Sequence, residues 1–215
     1  MTSSAPPAER ARIAVFAKAP VPGQVKTRLA GVLGEAAAAG LHAGLVRHAL
    51  STAVAAGLGK VQLWCAPDEH HDFFERCAAD FGATLHAQRG ADLGARMRAA
   101  FDEAFARGEA LVIIGADCPA LKPADLRAAA GALHAHDVAI APAEDGGYVL
   151  LAMARAVPQI FEGVAWGGPS VMGETRARLA AAGVSWSELP VSWDVDRPED
   201  YERLRREGLL QEVLS

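Results

Sequence analysis

Lys26, Thr27 and Arg28 come just after a turn built from Pro20, Pro22 and Gly23, which itself leaves an apolar run. An irregular, stiff backbone therefore presents two cations and several N–H groups together. Polyphosphate suits that chemistry, because a nest of backbone donors combines with charge-assisted hydrogen bonds from Lys26 and Arg28. The stretch is not a Walker loop: GQVKT lacks the earlier glycine and carries Val25 where that motif has Gly. No GxGxxG follows a strand elsewhere. Taken alone, the segment also reads as a surface turn with solvated cations.

Three acidic elements lie downstream. In VIIGADCPAL, Asp117 ends a buried apolar run just before Pro119, and a carboxylate at the carboxyl end of a parallel strand faces the crevice where open α/β sheets bind ligands. Mg²⁺ is held by a carboxylate or two together with phosphate oxygens and water, so Asp117 is a candidate metal ligand; capping the next helix is its alternative. In APAEDGGYVLLAM, Glu144 and Asp145 precede Gly146 and Gly147, which let a backbone approach a ligand closely but also form an ordinary turn. In WDVDRPEDY, Asp194 and Asp196 alternate along an extended segment and would share one face of a strand. Asp196, ahead of the helix that Pro198 opens, equally reads as an N-terminal cap. Basic groups near the start and carboxylates at three later places suit a metal-chelated nucleotide poised for displacement at phosphorus or at a sugar carbon.

Competing chemistries find no support. Neither a Ser-His-Asp elbow nor HExxH is present, and Cys65, Cys77 and Cys118 are too widely spaced for a disulfide framework or a paired-cysteine zinc site. His70 and His71 head a helix and read as exposed; His42, His48, His134 and His136 lie on or beside Ala-rich helices and are assigned no chemistry. A net charge of -5 argues against a nucleic-acid partner, and the apolar runs are too short for a membrane span. The reduced cysteines and the absence of a signal-peptide core point to a cytoplasmic protein.

The elements that must position these groups follow from periodicity. Short β-rich runs at 12–17, 60–65, 84–87, 110–115, 138–141 and 148–153 alternate with helical stretches at 35–56, 68–81, 93–107, 123–135, 169–182 and a terminal helix at 198–206. That alternation builds βαβ units and a mainly parallel sheet. With 215 residues and no internal repeat or linker, the reading is a disordered tail over residues 1–10 and a single domain over 11–215.

The ordered motifs KAPVPGQVKTRL, QRGADLGARMRAAF, GADCPAL, AEDGGYVLLAM, VAWGGPSVMGET and DVDRPEDY resemble one bacterial family of the nucleotide-diphospho-sugar transferase superfamily. That family is named for radical-SAM/selenodomain-associated transferases or arsenosugar-biosynthesis glycosyltransferases. The resemblance implies the GT-A fold, a three-layer α/β/α arrangement around a mainly parallel mixed sheet. It also implies that Lys18, Gly23, Lys26 and Arg28 form the nucleotide loop, that Asp117 is the metal-binding aspartate, and that Asp196 completes the metal site for Mg²⁺ or Mn²⁺. Asp92 and Arg96 join the phosphate-binding set from the helix start after Gln88; Arg96 and Arg98 cannot share one helical face. Trp166, beside Gly167 and Gly168, either stacks an acceptor or sugar ring or plugs the core. The GADCP segment departs from the DxD form of glycosyltransferases and looks closer to the strand end of nucleotidyltransferases.

The expected activity is metal-dependent transfer from a nucleotide-activated donor. A glycosyltransferase acting on a nucleotide sugar and a small-molecule acceptor comes first, with Asp145 as base and Gly146, Gly147 and Trp166 on the acceptor or sugar side. A nucleotidyltransferase that couples an NTP to a phosphorylated small molecule and releases pyrophosphate is the alternative. A non-catalytic nucleotide-binding protein is the reading from another class.

Overall fold

Apolar runs alternating with helical stretches do build one layered sheet in the computed structural model, which describes residues 11–214. The tail expected over residues 1–10 lies outside the described residues. Strands β1 (Arg12–Lys18), β2 (Val61–Ala66), β3 (Thr84–Ala87), β4 (Leu111–Gly115), β5 (Val138–Pro142), β6 (Tyr148–Met153) and β7 (Trp186–Glu188) lie in the order β3-β2-β1-β4-β6-β5-β7. β6 is antiparallel to β4 and β5, and the other pairings are parallel. The mainly parallel mixed sheet expected from the sequence is the one found.

Period-two alternation decides which side chains face which layer. Ile13 and Val15 of β1 pack with Val46 and Leu50 of α2 (Glu35–Ala56), Phe74 of α3 (Asp72–Phe81) and Leu126 of α5 (Pro123–Ala132). Ala14 and Phe16 turn the other way, toward Met97 and Phe101 of α4 (Leu93–Ala106) and Leu179 of α6 (Val171–Ala181). The result is the three-layer α/β/α arrangement. A third cluster joins Leu29, Leu41 and Leu45 to Trp193, Val195, Leu204 of α7 (Pro198–Arg206) and Val213 of α8 (Leu209–Leu214). That cluster brings the loop after β1 and the segment before α7 to the same end of the sheet. Four of its side chains, Leu29, Leu45, Val195 and Leu204, are fully buried, and each of them stabilises the fold by about 1.5–3 kcal/mol.

Several element boundaries shift by a few residues, and three differences alter the layout. The helix expected from residue 68 starts at Asp72, because Asp68 Oδ1 accepts the His70 N–H in a turn and His71 Nδ1 accepts the Phe73 N–H as the cap. The 198–206 helix is not terminal, since α8 follows and packs on α2. β7, unforeseen, pairs with β5 at the sheet edge. The three cysteines are free and buried, and no helix of the described residues is long and apolar enough to cross a membrane.

Candidate active site

The chain leaves β1 for β2 and β3 on one side of the sheet and returns to β4 on the other, so a topological switch point opens between the carboxyl ends of β1 and β4. Crevices of this kind are where open α/β sheets receive ligands. A pocket of about 550 Å³ occupies it. The loop of residues 24–28 forms one wall, residues 16–18 and 115–117 the floor, and Gln88, Leu93 and Arg96 the opposite side.

The basic loop is held by its own apolar residues. Val25 and Leu29 are buried, the Gln24 N–H closes a turn onto Val21 O, and Gly23 turns the chain at φ +77°. Lys26 sits at φ +48°, a left-handed conformation that a residue with a Cβ adopts at about 1–2 kcal/mol. No acceptor among the described residues takes the N–H groups of Val25, Lys26, Thr27 or Arg28. Four unpaired N–H groups in a loop that lines the pocket suit an anion.

The strained backbone turns the Lys26 side chain inward, where it is 3% exposed. Its Nζ lies 2.9 Å from Asp117 Oδ2 and 3.0 Å from Asp196 Oδ1. Burial works against the ammonium charge, but the two carboxylates more than offset it and raise the lysine's pKa above its ordinary value. Burial likewise opposes the charge on Asp117, and Lys26 together with His42 outweighs it, holding this carboxyl well below the usual carboxylate range. Arg28 stays 63% exposed and reaches Asp196 Oδ2 at 3.4 Å.

Asp117 and the segment before α7 are joined by the backbone: the Val195 N–H donates to Asp117 O at 2.9 Å. Trp193 and Val195 then turn into the core, which leaves Asp194 and Asp196 on the other face. The alternation expected along WDVDRPEDY therefore holds, although the segment joins the ladder only through the Ala143–Ser192 bridge. Capping of α7 falls to Asp200, whose Oδ2 accepts the N–H groups of Asp196 and Arg197. The Asp196 carboxylate is thereby free for the pocket. Asp194 is pushed up to about 6, first by burial and then by the charges of Asp145, Asp196 and Asp117. Four carboxylates thus act on one another here, with Lys26 buried between two of them.

Sequence reasoning assigned no role to His42 or Gln88, and it named Asp194 only as sharing a face with Asp196. His42 of α2 is buried, with Nε2 3.0 Å from Lys18 O and Nδ1 3.6 Å from Asp117 Oδ1, and neither Nδ1 nor that carboxylate oxygen has a hydrogen-bond partner among the described residues. Asp194 joins the acidic cluster, and Gln88 lines the pocket. A polar ring on the Ala38–Leu41–Leu45 stripe of a helix was a readable signal, because buried polar groups on such stripes are there to meet a partner.

Lys18, Lys26, Arg28, Arg96, Asp117 and Asp196 line the one pocket, but other expected residues do not. Asp92 is used locally: its Oδ1 accepts the Ala95 N–H at 2.8 Å as the cap of α4, so its carboxylate serves the helix. Arg96 points in and donates through Nε to Gly90 O, while Arg98 lies near Asp102 and Glu162. Asp145 Oδ1 accepts the Gly147 N–H and shapes the turn between β5 and β6, and a Cβ on Gly146 would collide with Pro169 O. Trp166 is a plug: its ring lies against Gly94, where a Cβ would strike it, and it stacks with Phe161 at 6.5 Å and meets Tyr148 edge-on at 6.3 Å.

Among the described residues no three His, Cys, Asp or Glu side chains close around a point as a preassembled metal cage. The donor chemistry nevertheless fits a divalent cation of the kind that retains phosphate and water ligands. Asp117 Oδ1 is buried without a partner, and the carboxylates around it carry more negative charge than Lys26 cancels.

Residues 49–168 match a family described as an uncharacterized protein conserved in bacteria, DUF2064. The chain is 35% identical over 184 residues, 81% of its own length and 81% of the relative's, to the 3-phospho-D-glycerate guanylyltransferase of Phenylobacterium zucineum (strain HLK1). Among solved structures it superposes on a protein from Desulfovibrio desulfuricans G20 assigned as a nucleotide-diphospho-sugar transferase, with a TM-score of 0.80 and 30% identity over 95% of this chain and 98% of that one. A nucleotidyl transferase from Methanothermobacter thermautotroptrophicus shares the fold, with a TM-score of 0.67 and 16% identity over 94% and 99% of the two chains.

Proposed function

Since the chain belongs to the DUF2064 family of bacterial proteins, we propose that it is a nucleotidyltransferase that takes a nucleoside triphosphate, most closely GTP, and a small phosphorylated acid. One observation carries the reading. A buried lysine, fixed by a left-handed backbone, lies between two carboxylates at the β1/β4 crevice, beneath a loop of free N–H donors. The guanylyltransferase relative supports the choice of transferred group, in place of the glycosyl transfer that the motif resemblance ranks first.

In this reading the triphosphate lies along residues 24–28, where the free N–H groups and Arg28 meet its oxygens and Lys26 neutralises charge that develops as the α–β bond breaks. An oxygen of the acceptor's phosphate attacks the α-phosphorus in line, a new P–O–P bond forms, and pyrophosphate leaves. The nucleophile is already ionised, so the base that glycosyl transfer would ask of Asp145 is not needed. Asp117 and Asp196 would hold a Mg²⁺ or Mn²⁺ ion, which when bound supplies further charge neutralisation to the phosphates. His42 positions Asp117, and the β5–β6 turn of Asp145, Gly146 and Gly147 flanks the acceptor side, with Trp166 as the packing behind it.

A thermal-shift screen of nucleoside triphosphates against nucleotide sugars, each with and without Mn²⁺, tests the donor class, because a ligand of the folded state raises its melting temperature. Stabilisation by GTP with Mn²⁺ is the expected outcome. Stabilisation by nucleotide sugars alone would return the protein to the glycosyltransferase reading, and stabilisation by neither class would leave no transferase.

A further inference from the structure

We propose that Gln88 selects the nucleobase, its side-chain carbonyl oxygen accepting the paired N–H donors of guanine. The proposal rests on the reading of the pocket as a triphosphate site and goes beyond it by assigning the residue that reads the base. Gln88 follows β3, and its backbone N–H donates to Cys65 O at 2.9 Å. Its side-chain Nε2 donates to Ala17 O at 3.2 Å and to Trp64 O at 2.8 Å. Both partners are backbone carbonyls, which only accept, so the amide cannot be turned over without facing oxygen to oxygen twice. The two ends of the amide are therefore fixed by chemistry, not by choice of assignment. Oε1 has no partner among the described residues, and Gln88 lines the pocket.

Lys26, Arg28, Asp117 and Asp196 are joined by their ion pairs, whereas Gln88 shares the lining with Ala17, Leu93, Gly115 and Ala116, and with Arg96, whose Nε is held on Gly90 O. Leu93 is 47% exposed, an apolar side chain left uncovered at the pocket, as a flat ring requires of its neighbour. At the rim of this slot stands one fixed acceptor. Guanine presents N1–H and the 2-amino group side by side, so a single carbonyl oxygen meets two donors. Adenine and cytosine offer one amino group beside a ring-nitrogen lone pair, which a carbonyl oxygen repels, and uracil offers one N–H flanked by two carbonyls.

Calorimetric titration of the full chain with GTP, 1-methyl-GTP and ATP, each with Mg²⁺, tests the assignment in two independent arms. In the first, the natural protein is expected to bind GTP about tenfold or more tightly than either analogue, the usual scale of one lost hydrogen bond in a half-buried site. Equal affinity for GTP and 1-methyl-GTP would overturn the proposal, and needs no variant. In the second, Gln88→Leu is expected to lower GTP affinity about tenfold and leave ATP affinity unchanged. A folded Gln88→Leu protein with the natural GTP-to-ATP ratio would overturn it. A natural protein that binds no nucleoside triphosphate would sink the nucleotidyltransferase reading itself, whereas tight binding without base preference would remove Gln88 alone.

Discussion

Replacing Asp194 by Asn should make the ligand-free protein more stable at neutral pH. The carboxyl is moved from the ordinary 3.8 up to about 6 by burial and by the charges of Asp145, Asp196 and Asp117. A displacement of about two pH units at about 1.4 kcal/mol each corresponds to about 3 kcal/mol of penalty for the ionised form. Asp194 is only half-buried, so solvent screening reduces the usable figure to about 1–2 kcal/mol. The sign follows from linkage: the folded protein holds this proton more tightly than the unfolded chain. Below about pH 4 both states are protonated and there is no penalty. Between about 4 and 6 it grows, and above about 6 it is fully present. Thermal unfolding of both proteins at pH 7.5 should therefore place Asp194→Asn about 2–8 °C higher, at about 2–4 °C per kcal/mol for a chain of this size. At pH 4 the two should coincide. A variant no more stable than its parent at pH 7.5, or more stable by the same margin at pH 4, refutes the reasoning.

Three further substitutions separate ligand-holding residues from packing residues. Lys26→Ala should weaken GTP binding by at least about tenfold, since the one buried cation of the pocket is lost; calorimetry that returns the natural affinity contradicts its placement on the phosphates. Asp92→Ala should lower stability by about 1 kcal/mol through loss of the α4 cap, as read by denaturant unfolding, with GTP affinity unchanged; a drop in affinity at natural stability would restore Asp92 to the ligand. Gly94→Val should destabilise by about 2–4 kcal/mol, because the added side chain drives into the Trp166 ring. A melting curve that does not move would show that the Trp166 plug yields freely.

Much of the fold was legible because burial repeats every second residue in strands and Ala-rich stretches repeat at helical spacing. β3 and β6 fall on the expected residues, as do α2 and α7. β7 was not legible: it is three residues long, half-exposed, and bonded to β5 alone at the sheet edge, so its polar sequence carries no alternation. α8 hid in the same way, as one six-residue turn of chain whose reason to be helical is Val213 packing in the third cluster.

The site was half legible. Lys26, Arg28, Asp117 and Asp196 each sit at a strand end or a stiff turn, where local chemistry marks them, and the fold brings Lys26 and Asp196 together across 170 residues of chain. His42 and Gln88 carry no motif of their own, and their meaning lies in partners from other strands: Lys18 O and Asp117 for one, Ala17 O and Trp64 O for the other. Asp92 and Trp166 stayed ambiguous in the sequence for the converse reason. A cap and a ring packed on glycine have the same residue types as a phosphate ligand and a stacking platform. The transferred group is where motif resemblance and the guanylyltransferase relative part, and the GADCP segment had already departed from the glycosyltransferase form.

The bond that breaks is the centre of the account. The protein, Mg²⁺, GTP labelled at the α-phosphorus and a set of small phosphorylated acids should yield pyrophosphate and a labelled product that joins the nucleoside monophosphate to the acceptor's phosphate. Asp117→Asn should lose both while remaining folded. Release of a nucleoside diphosphate from a nucleotide sugar, with no pyrophosphate formed from GTP, would contradict it.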